Sequence, residues 1–313
     1  MSELPEKDLP PGRHRLLKEH LMTEIRQETP RAERTARARR PWLRPVLVGA
    51  AAAAVAGGVL VALPSGAEQN TAVKHTSDEA VALLEDIALA TAKRDAPEIR
   101  DDQYVYVKSR VAYSSQQLTA SDQKPSKPEL DPVHDREVWF AVDGKRPGLL
   151  VEENRNGRTE LEAEKPGLAT NTSYRNLTTL PTDPDAMLKW LYKNRQGDNQ
   201  KDHQAFITFG DLVRESLVPP AQGAALYRAA AKLPAVEVVK DVKDAAGRTG
   251  VAVSREDEHG LQTQLIFNPK TFEYLGERVV ATRETEDGLE EGDVTGTAAV
   301  LDREVVDKVE QRP

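Results

Sequence analysis

The feature that most constrains this chain is an uncharged run of 18 residues, Val46 to Leu63, which reads "VLVGAAAAAVAGGVLVAL" and ends at Pro64. At the helical rise of about 1.5 Å per residue the run spans about 27 Å, close to the hydrocarbon thickness of a bilayer. Trp42 and Leu43 extend it, and tryptophan favours the headgroup level. We therefore predict a transmembrane helix over residues 42–63, in contact with membrane lipid.

The charges on either side of this run differ in sign. The first charge after it is the acidic Glu68, whereas six arginines precede it: Arg31, Arg34, Arg37, Arg39, Arg40 and Arg44. Positively charged flanks stay in the cytoplasm. We expect a single-pass protein of the cell membrane with a cytoplasmic amino terminus and an extracytoplasmic carboxy-terminal domain.

A cleaved export signal is the main alternative to a retained span. Residues 39–43, "RRPWL", resemble a twin-arginine signal, and Ser65-Gly66-Ala67 is a suitable small-residue cleavage site. Against it, 38 residues precede the arginine pair, and the apolar run is longer than the usual signal core. Cleavage within residues 39–67 stays open, and both interpretations place the large domain outside.

These features divide the chain into four segments. They are a cytoplasmic amphipathic and basic segment, the transmembrane helix, a linker and an extracytoplasmic α+β domain, at residues 1–41, 42–63, 64–75 and 76–313.

The cytoplasmic segment contains one predicted amphipathic helix, over residues 11–29. Its apolar side chains recur near helical spacing: Leu16, Leu17, Leu21, Met22 and Ile25. A lone helix of this length is marginal in water and would be stabilised in the groove of a partner. Adsorption of the basic segment to anionic lipid is the alternative.

The first half of the outer domain shows one helix and several strands. Thr76 and Glu79 have the spacing of a capping box before a helix that fades before Pro97. Residues 103–113 alternate with period two, as in a half-buried strand. Asp143-Gly144 and Asn156-Gly157 are hairpin turn pairs, which indicates a meander.

The second half begins with helices and returns to strands. Asp183-Pro184 opens a first helix, and two more are predicted at 202–217 and 221–233. Strands are predicted at 235–243, 249–255, 261–267 and 272–282, followed by an acidic loop. The order predicts an α+β domain with one antiparallel sheet and helices on one face.

Composition excludes several functional classes. Residues 1–45 carry 11 Lys or Arg against 7 Asp or Glu, and the remainder carries 32 against 44, a net charge of −12. Such an acidic body repels phosphate backbones, so we expect no nucleic-acid partner. The absence of cysteine excludes disulfides and thiolate chemistry.

No catalytic pattern is present. The nucleophile-elbow, zincin, phosphate-loop and dinucleotide patterns are all missing, and the six histidines are scattered. We expect the histidines of the outer domain to lie at the surface. We therefore name no catalytic residue, metal ligand or cofactor, and do not expect an enzyme.

Several longer stretches resemble a known family. The segments "LPTDPDAMLKWLYKN", "DLVRESLVPPAQGAALYRAAAKLP", "DVKDAAGRTGVAVSRED" and "QLIFNPKTFEYLGERVV" resemble an actinobacterial family of single-span membrane proteins of unknown function, often encoded beside extracytoplasmic-function sigma factors. The likeness covers nearly the whole chain. One departure is Asn268, where the family usually has Asp before the proline.

The strand–helix–strand order is also loosely similar to the lipoprotein-carrier and sigma-regulator half-barrel class. This likeness implies a curved antiparallel sheet around helices and a groove for an acyl chain. Its lining would come from aromatic residues that would otherwise form the core: Trp139, Phe140, Trp190, Phe206, Phe209, Tyr227 and Phe267.

Together these features predict a membrane-anchored, non-enzymatic sensor or regulator. Its outer domain would bind an envelope lipid or protein ligand, and its cytoplasmic helix would contact a sigma factor in the anti-sigma manner. The alternative is an envelope carrier that binds a lipid or lipoprotein and has an inert anchor.

Overall fold

The computed structural model describes residues 75–96, 98–115, 127–153, 157–164, 171–195, 197 and 199–313. The predicted amphipathic helix, the predicted span and nearly all of the predicted linker lie outside these ranges, and they remain predictions. Every helix within the ranges is too short or too polar to cross a bilayer.

One helix of the described residues precedes the strands of the first half, and four lie between those strands and the strands of the second half. Their bounds are α1 Asp78–Ala92, α2 Tyr174–Leu177, α3 Pro184–Lys193, α4 Lys201–Arg214 and α5 Pro220–Ala230. Helices α3, α4 and α5 agree with the predicted positions to within a few residues, whereas α2 was not predicted.

The strands form one antiparallel sheet in the order β5-β4-β3-β1-β10-β9-β8-β7-β6, and β2 pairs only with the end of β1. Their bounds are β1 Tyr104–Ser115, β2 Glu129–Leu130, β3 His134–Ala141, β4 Gly148–Glu152, β5 Gly157–Leu161, β6 Glu237–Lys243, β7 Thr249–Glu256, β8 Leu261–Phe267, β9 Tyr274–Ala281 and β10 Val294–Val306. The predicted α+β class with a large antiparallel sheet is confirmed, and the curvature of the sheet stays a prediction.

Strand β10 was missed by the sequence analysis, which predicted no strand after residue 282. It is nevertheless the longest strand among the described residues and lies between β1 and β9. Its middle residues Gly296, Ala298 and Ala299 are small, so the apolar alternation that marks a strand is weak. This strand joins the amino-terminal meander to the carboxy-terminal one.

The main core lies between the helices and the carboxy-terminal strands. Side chains of α1, α3, α4 and α5 pack against Val253 of β7 and Leu265 of β8. Ala252 and Ile266, the next positions on the same strands, belong to a separate cluster. This alternation places the helices on one face of β7 and β8, because successive strand residues point to opposite faces.

Local capping signals set the helix starts. Asp183 caps α3 by accepting a hydrogen bond from the Ala186 N–H at 2.8 Å, as its position before Pro184 predicts. The predicted cap of α1 was wrong by one residue. Ser77 accepts from the Ala80 N–H at 3.2 Å, while the Thr76 hydroxyl donates to the Leu233 carbonyl after α5.

Candidate functional site

Four of the seven predicted groove residues lie together in the core. Phe206, Phe209, Tyr227 and Phe267 follow one another in edge-to-face contacts, with ring centroids 5.8, 5.7 and 5.8 Å apart. Tyr274 continues the row at 5.6 Å from Phe267. The three phenylalanines are fully buried and Tyr227 is 7% exposed. The row therefore packs helices α4 and α5 onto the sheet.

The other three groove residues lie elsewhere. Trp139 is buried in a separate cluster, where its ring is 5.1 Å from that of Tyr106 and its Nε1 donates to the Gln311 carbonyl at 2.8 Å. Trp190 packs at the margin of the helical core, and Phe140 is half-buried on β3. The fold does not bring these three to the aromatic row, and a ligand-binding role for the set stays a prediction.

A group of buried charges lies where α4 ends against the sheet. Arg136 of β3 donates two hydrogen bonds to Glu215, at 2.7 and 3.1 Å, and one to Glu152 at 3.1 Å. Nε2 of His134 is 2.8 Å from the same Glu152, and its Nδ1 is 3.0 Å from the Pro132 carbonyl. These side chains form one connected ionic cluster.

The expectation that the histidines lie at the surface was wrong for two of them. His134 is 7% exposed and His203 is 1% exposed. His134 begins a strand that lies inside the sheet, and its partner Glu152 satisfies a ring nitrogen there. His203 lies in the first turn of α4, on the face that turns toward the core. A position near a helix start therefore does not by itself place a side chain at the surface, because the face of the helix on which it lies decides its exposure.

Mutual attraction keeps Arg136 and Glu215 ionised. Burial alone would raise the pKa of Glu215, but the adjacent Arg136 guanidinium outweighs burial and the pKa is lowered. Burial alone would lower the pKa of Arg136, and the charge of Glu215 raises it instead. Each group thus stabilises the charged form of the other.

A second ion pair and two tyrosines continue the cluster toward β9. Arg214 contacts Glu277 at 2.5 Å. Burial raises the pKa of the neighbouring Tyr113 to about 12. The Tyr274 hydroxyl is buried and has no hydrogen-bond partner among the described residues. Such paired buried charges are typical of a structural ion-pair network.

A cleft of about 90 Å³ opens beside this cluster. Its walls come from the carboxy-terminal end of α1 and the residues just after it, helix α2, the end of α4, the segment between α4 and α5, the first turns of α5, and β10. Arg303 of β10 and Tyr227 of α5 both line it, so the cleft touches the aromatic row at one end. Tyr227 is the one predicted groove residue that reaches this cleft.

Arg303 gives the cleft its charge. Its Nη2 donates to the Val213 and Arg214 carbonyls, at 3.1 and 2.9 Å, at the end of α4. Its Nε is buried without a hydrogen-bond partner among the described residues. Burial lowers the pKa of Arg303. Sequence analysis missed this residue because a single arginine near the end of a weakly patterned strand carries no local signal.

Within the described ranges no three His, Asp or Glu side chains come close enough together to hold a metal ion. The apolar residues of the predicted partner-binding helix, from Leu16 to Ile25, lie outside these ranges. The described site is therefore the cleft with its ionic neighbourhood.

The solved structures that are similar to this chain include two of low sequence identity. No family model matches the chain, and no curated protein matches it. The chain is similar to the MucA/MucB complex of Pseudomonas aeruginosa, with 12% identity and a TM-score of 0.26, over 72% of this chain and 57% of that chain. It is also similar to MucB, with 12% identity and a TM-score of 0.28, over 73% of this chain and 59% of that chain.

The chain thus spans less than three fifths of the structures that it matches. TM-scores this low do not establish a common fold. The predicted membership of an actinobacterial membrane-protein family gains no support from these comparisons.

Proposed function

We propose that this chain is a membrane-anchored, non-enzymatic regulatory protein. Residues 42–63 would cross the membrane, the outer domain would bind an envelope ligand or partner, and the helix at residues 11–29 would contact a cytoplasmic sigma factor. The order along the chain supports this proposal, because an amphipathic helix, an arginine-flanked apolar run and a large folded domain follow one another.

One structural observation supports it most. Helix α1 is the first described element after the predicted linker, and the cleft is lined by Thr91 in its last turn and by Arg94 and Asp95 just after its end. A ligand in the cleft would therefore contact the same helix to which the membrane segment is joined. Ligand binding could then bias the position of α1, provided that the ligand favours one position over another.

Co-purification tests the cytoplasmic half of the proposal. The full-length chain is co-expressed with each extracytoplasmic-function sigma factor of its source organism, and any complex is isolated from detergent-solubilised membranes. We expect Leu17→Glu and Leu21→Glu to abolish the complex, because each places a charge on the apolar stripe. Gln27→Glu adds the same charge without replacing an apolar side chain, and it should keep the complex. Absence of a complex with the unmodified chain would refute the sigma-factor contact.

The anchor is tested by an amino-terminal tag on the full-length chain. A retained span predicts that the tag stays on the mature protein in the membrane fraction. Loss of the tag would favour the twin-arginine signal and remove the cytoplasmic arm.

Lipid analysis tests the carrier alternative. The buried edge-to-face row of Phe206, Phe209 and Phe267 supports a packed core at that place rather than an open groove. We therefore expect no stoichiometric lipid in extracts of the purified protein after detergent exchange. One bound lipid per chain would support the carrier function instead.

A further inference from the structure

The cleft beside α1 is lined by two residues whose buried hydrogen-bond donors have no acceptor among the described residues. The Arg303 Nε and the Thr91 Oγ1 are both buried without a partner among the described residues. Thr91 itself is only 5% exposed. Buried polar groups in native proteins almost always have a partner, so two such groups lining one small cleft indicate a missing acceptor.

Two phenols add to this set. Tyr174 and Tyr227 both line the cleft, and neither hydroxyl has a hydrogen bond to any residue that the structure describes. A phenol can donate to an anion while its ring forms an apolar wall. The cleft therefore offers a guanidinium and three hydroxyls to a ligand that accepts hydrogen bonds and donates none.

The charges in the cleft favour an anion. Arg303 and Arg94 line it together with the single carboxylate Asp95, and none of the three forms an ion pair with another described residue. The nearby Glu215 is already bound by Arg136 through two hydrogen bonds. The guanidinium of Arg303 is half-buried and its Nε lacks an acceptor among the described residues, and a bound carboxylate would offset the cost of that buried donor.

The remaining walls and the volume limit the size of the ligand. Val213, Leu217, Val218 and Pro219 supply an apolar surface. The volume of about 90 Å³ is smaller than the roughly 150 Å³ of a cavity that holds benzene. A carboxylate of a few carbons therefore fits, and a long acyl chain does not.

We propose that this cleft binds a short-chain aliphatic carboxylate, with the carboxylate on Arg303 and Thr91 and the alkyl group against Leu217 and Val218. The inference deepens the proposed function by naming a ligand class for the outer domain, and it rests on that function for its regulatory meaning. The binding itself is independent of any cytoplasmic partner.

Calorimetric titration of the full-length protein in detergent micelles with butyrate tests this inference. Butyramide is the matched control ligand, because it has nearly the same shape and no charge. We expect butyrate to bind at least about tenfold more tightly than butyramide, the ratio expected when a charge-assisted hydrogen bond is lost. Equal binding of the two, or no binding of butyrate to the folded protein, overturns the proposal.

Two variants locate the ligand. Arg303→Met should weaken butyrate binding at least about tenfold, whereas Arg110→Met removes an exposed arginine outside the cleft and should leave binding unchanged. Because Arg303 also caps α4, Thr91→Val supplies a test that preserves shape. It should weaken butyrate binding while the urea midpoint stays equal or rises, since the lost hydroxyl had no protein partner. Unchanged affinity in both variants would place the binding elsewhere and overturn the proposal.

A negative titration would leave the sigma-factor experiment unaffected. Conversely, failure to isolate the sigma-factor complex would leave the butyrate titration valid. The two outcomes therefore separate the ligand inference from the proposed function.

Discussion

Arg136 joins two glutamates that are far from it along the chain. Glu152 lies 16 positions later and Glu215 lies 79 positions later, and all three side chains are at most 20% exposed. A buried pair of this kind is roughly neutral when intact but costly when one partner is removed, because the other charge remains buried.

We expect Arg136→Met to lower the free energy of unfolding by about 3–5 kcal/mol, the usual cost of leaving a buried charge unpaired. Urea unfolding at neutral pH measures the effect. Lys240→Met, which breaks the exposed pair with Glu79, is the control and should cause no measurable change. Equal effects of the two substitutions would show that burial does not determine how much these ion pairs contribute to the free energy of unfolding.

The buried phenol of Tyr113 gives a dependence on alkaline pH. Its folded pKa is raised by burial from 10.0 to about 12. A raised pKa contributes stability that is complete below the unfolded value and is lost as the pH rises through the folded one. We expect the protein to lose stability between about pH 10 and about 12, and Tyr113→Phe to lose less over the same interval. Urea midpoints across that interval measure this, and parallel curves for the two proteins would contradict the assignment.

At the scale of elements, the contact between α1 and α5 depends on a glycine. Gly223 lies inside α5, where a Cβ would meet the Thr91 Cγ2 of α1 at 2.8 Å. An alanine in a helix interior usually stabilises by about 1 kcal/mol relative to glycine. Here the close approach of the two helices opposes that preference.

We expect Gly223→Ala to destabilise the protein by about 1–3 kcal/mol, the range for overpacking. Gly210→Ala in α4 is the matched comparison, because its Cβ would be 3.3 Å from the flexible end of Leu265 and should be tolerated better. Thermal unfolding of both variants measures the difference. A Gly223→Ala protein more stable than the unmodified one would exclude the clash.

A second feature at this scale is the irregular, charged segment of the edge strand β6. A register shift interrupts its pairing with β7 between Val239 and Val242, and Asp241 there has a φ of 56°. Exposed Lys240 and Asp241 occupy the irregular segment. Charges and bulges on an edge strand oppose pairing with another chain. The local sequence shows the charges, but only the pairing shows the bulge.

At the scale of the whole molecule, β10 unites two meanders into one sheet. The strands on its two sides, β1 and β9, come from the beginning and the end of the outer domain. The Trp139 cluster lies on the β1 side, while Trp190 belongs to the helical core on the β7 and β8 side. A continuous sheet through β10 should couple the unfolding of these two regions.

We therefore expect one cooperative transition for the described domain. The chain contains three tryptophans, so Trp42 is replaced by phenylalanine in both variants. With Trp42→Phe and Trp190→Phe combined, the fluorescence of Trp139 should change at the same urea concentration as the far-ultraviolet circular dichroism. The same should hold for Trp190 when Trp42→Phe and Trp139→Phe are combined. Comparison within each variant removes any effect of the substitution on overall stability. Separate midpoints in either variant would show that the two meanders unfold independently.

Local sequence signals were sufficient to predict much of the fold. Asp183 before Pro184 predicted the start of α3. The gap between the predicted strands 261–267 and 272–282 is a turn in which the Asn268 side chain accepts from the Lys270 and Thr271 N–H groups at 2.9 and 3.1 Å. The apolar patterns of residues 249–255 and 261–267 predicted strands β7 and β8. These features depend on neighbours a few residues apart, which the sequence displays directly.

Long-range packing decided the rest. The alanines and glycine of β10 became a central strand because β1 and β9 pair with both of its edges. Arg136 met Glu215, and Arg303 came to line a cleft with Thr91, through contacts between elements far apart in the chain. The sequence alone determined the charge of the body, its lack of cysteine and the apolar run from Val46 to Leu63. Which charges are buried and paired, and which donors lack an acceptor, was decided only by the tertiary structure, because burial is a property of the packed chain and not of the residue.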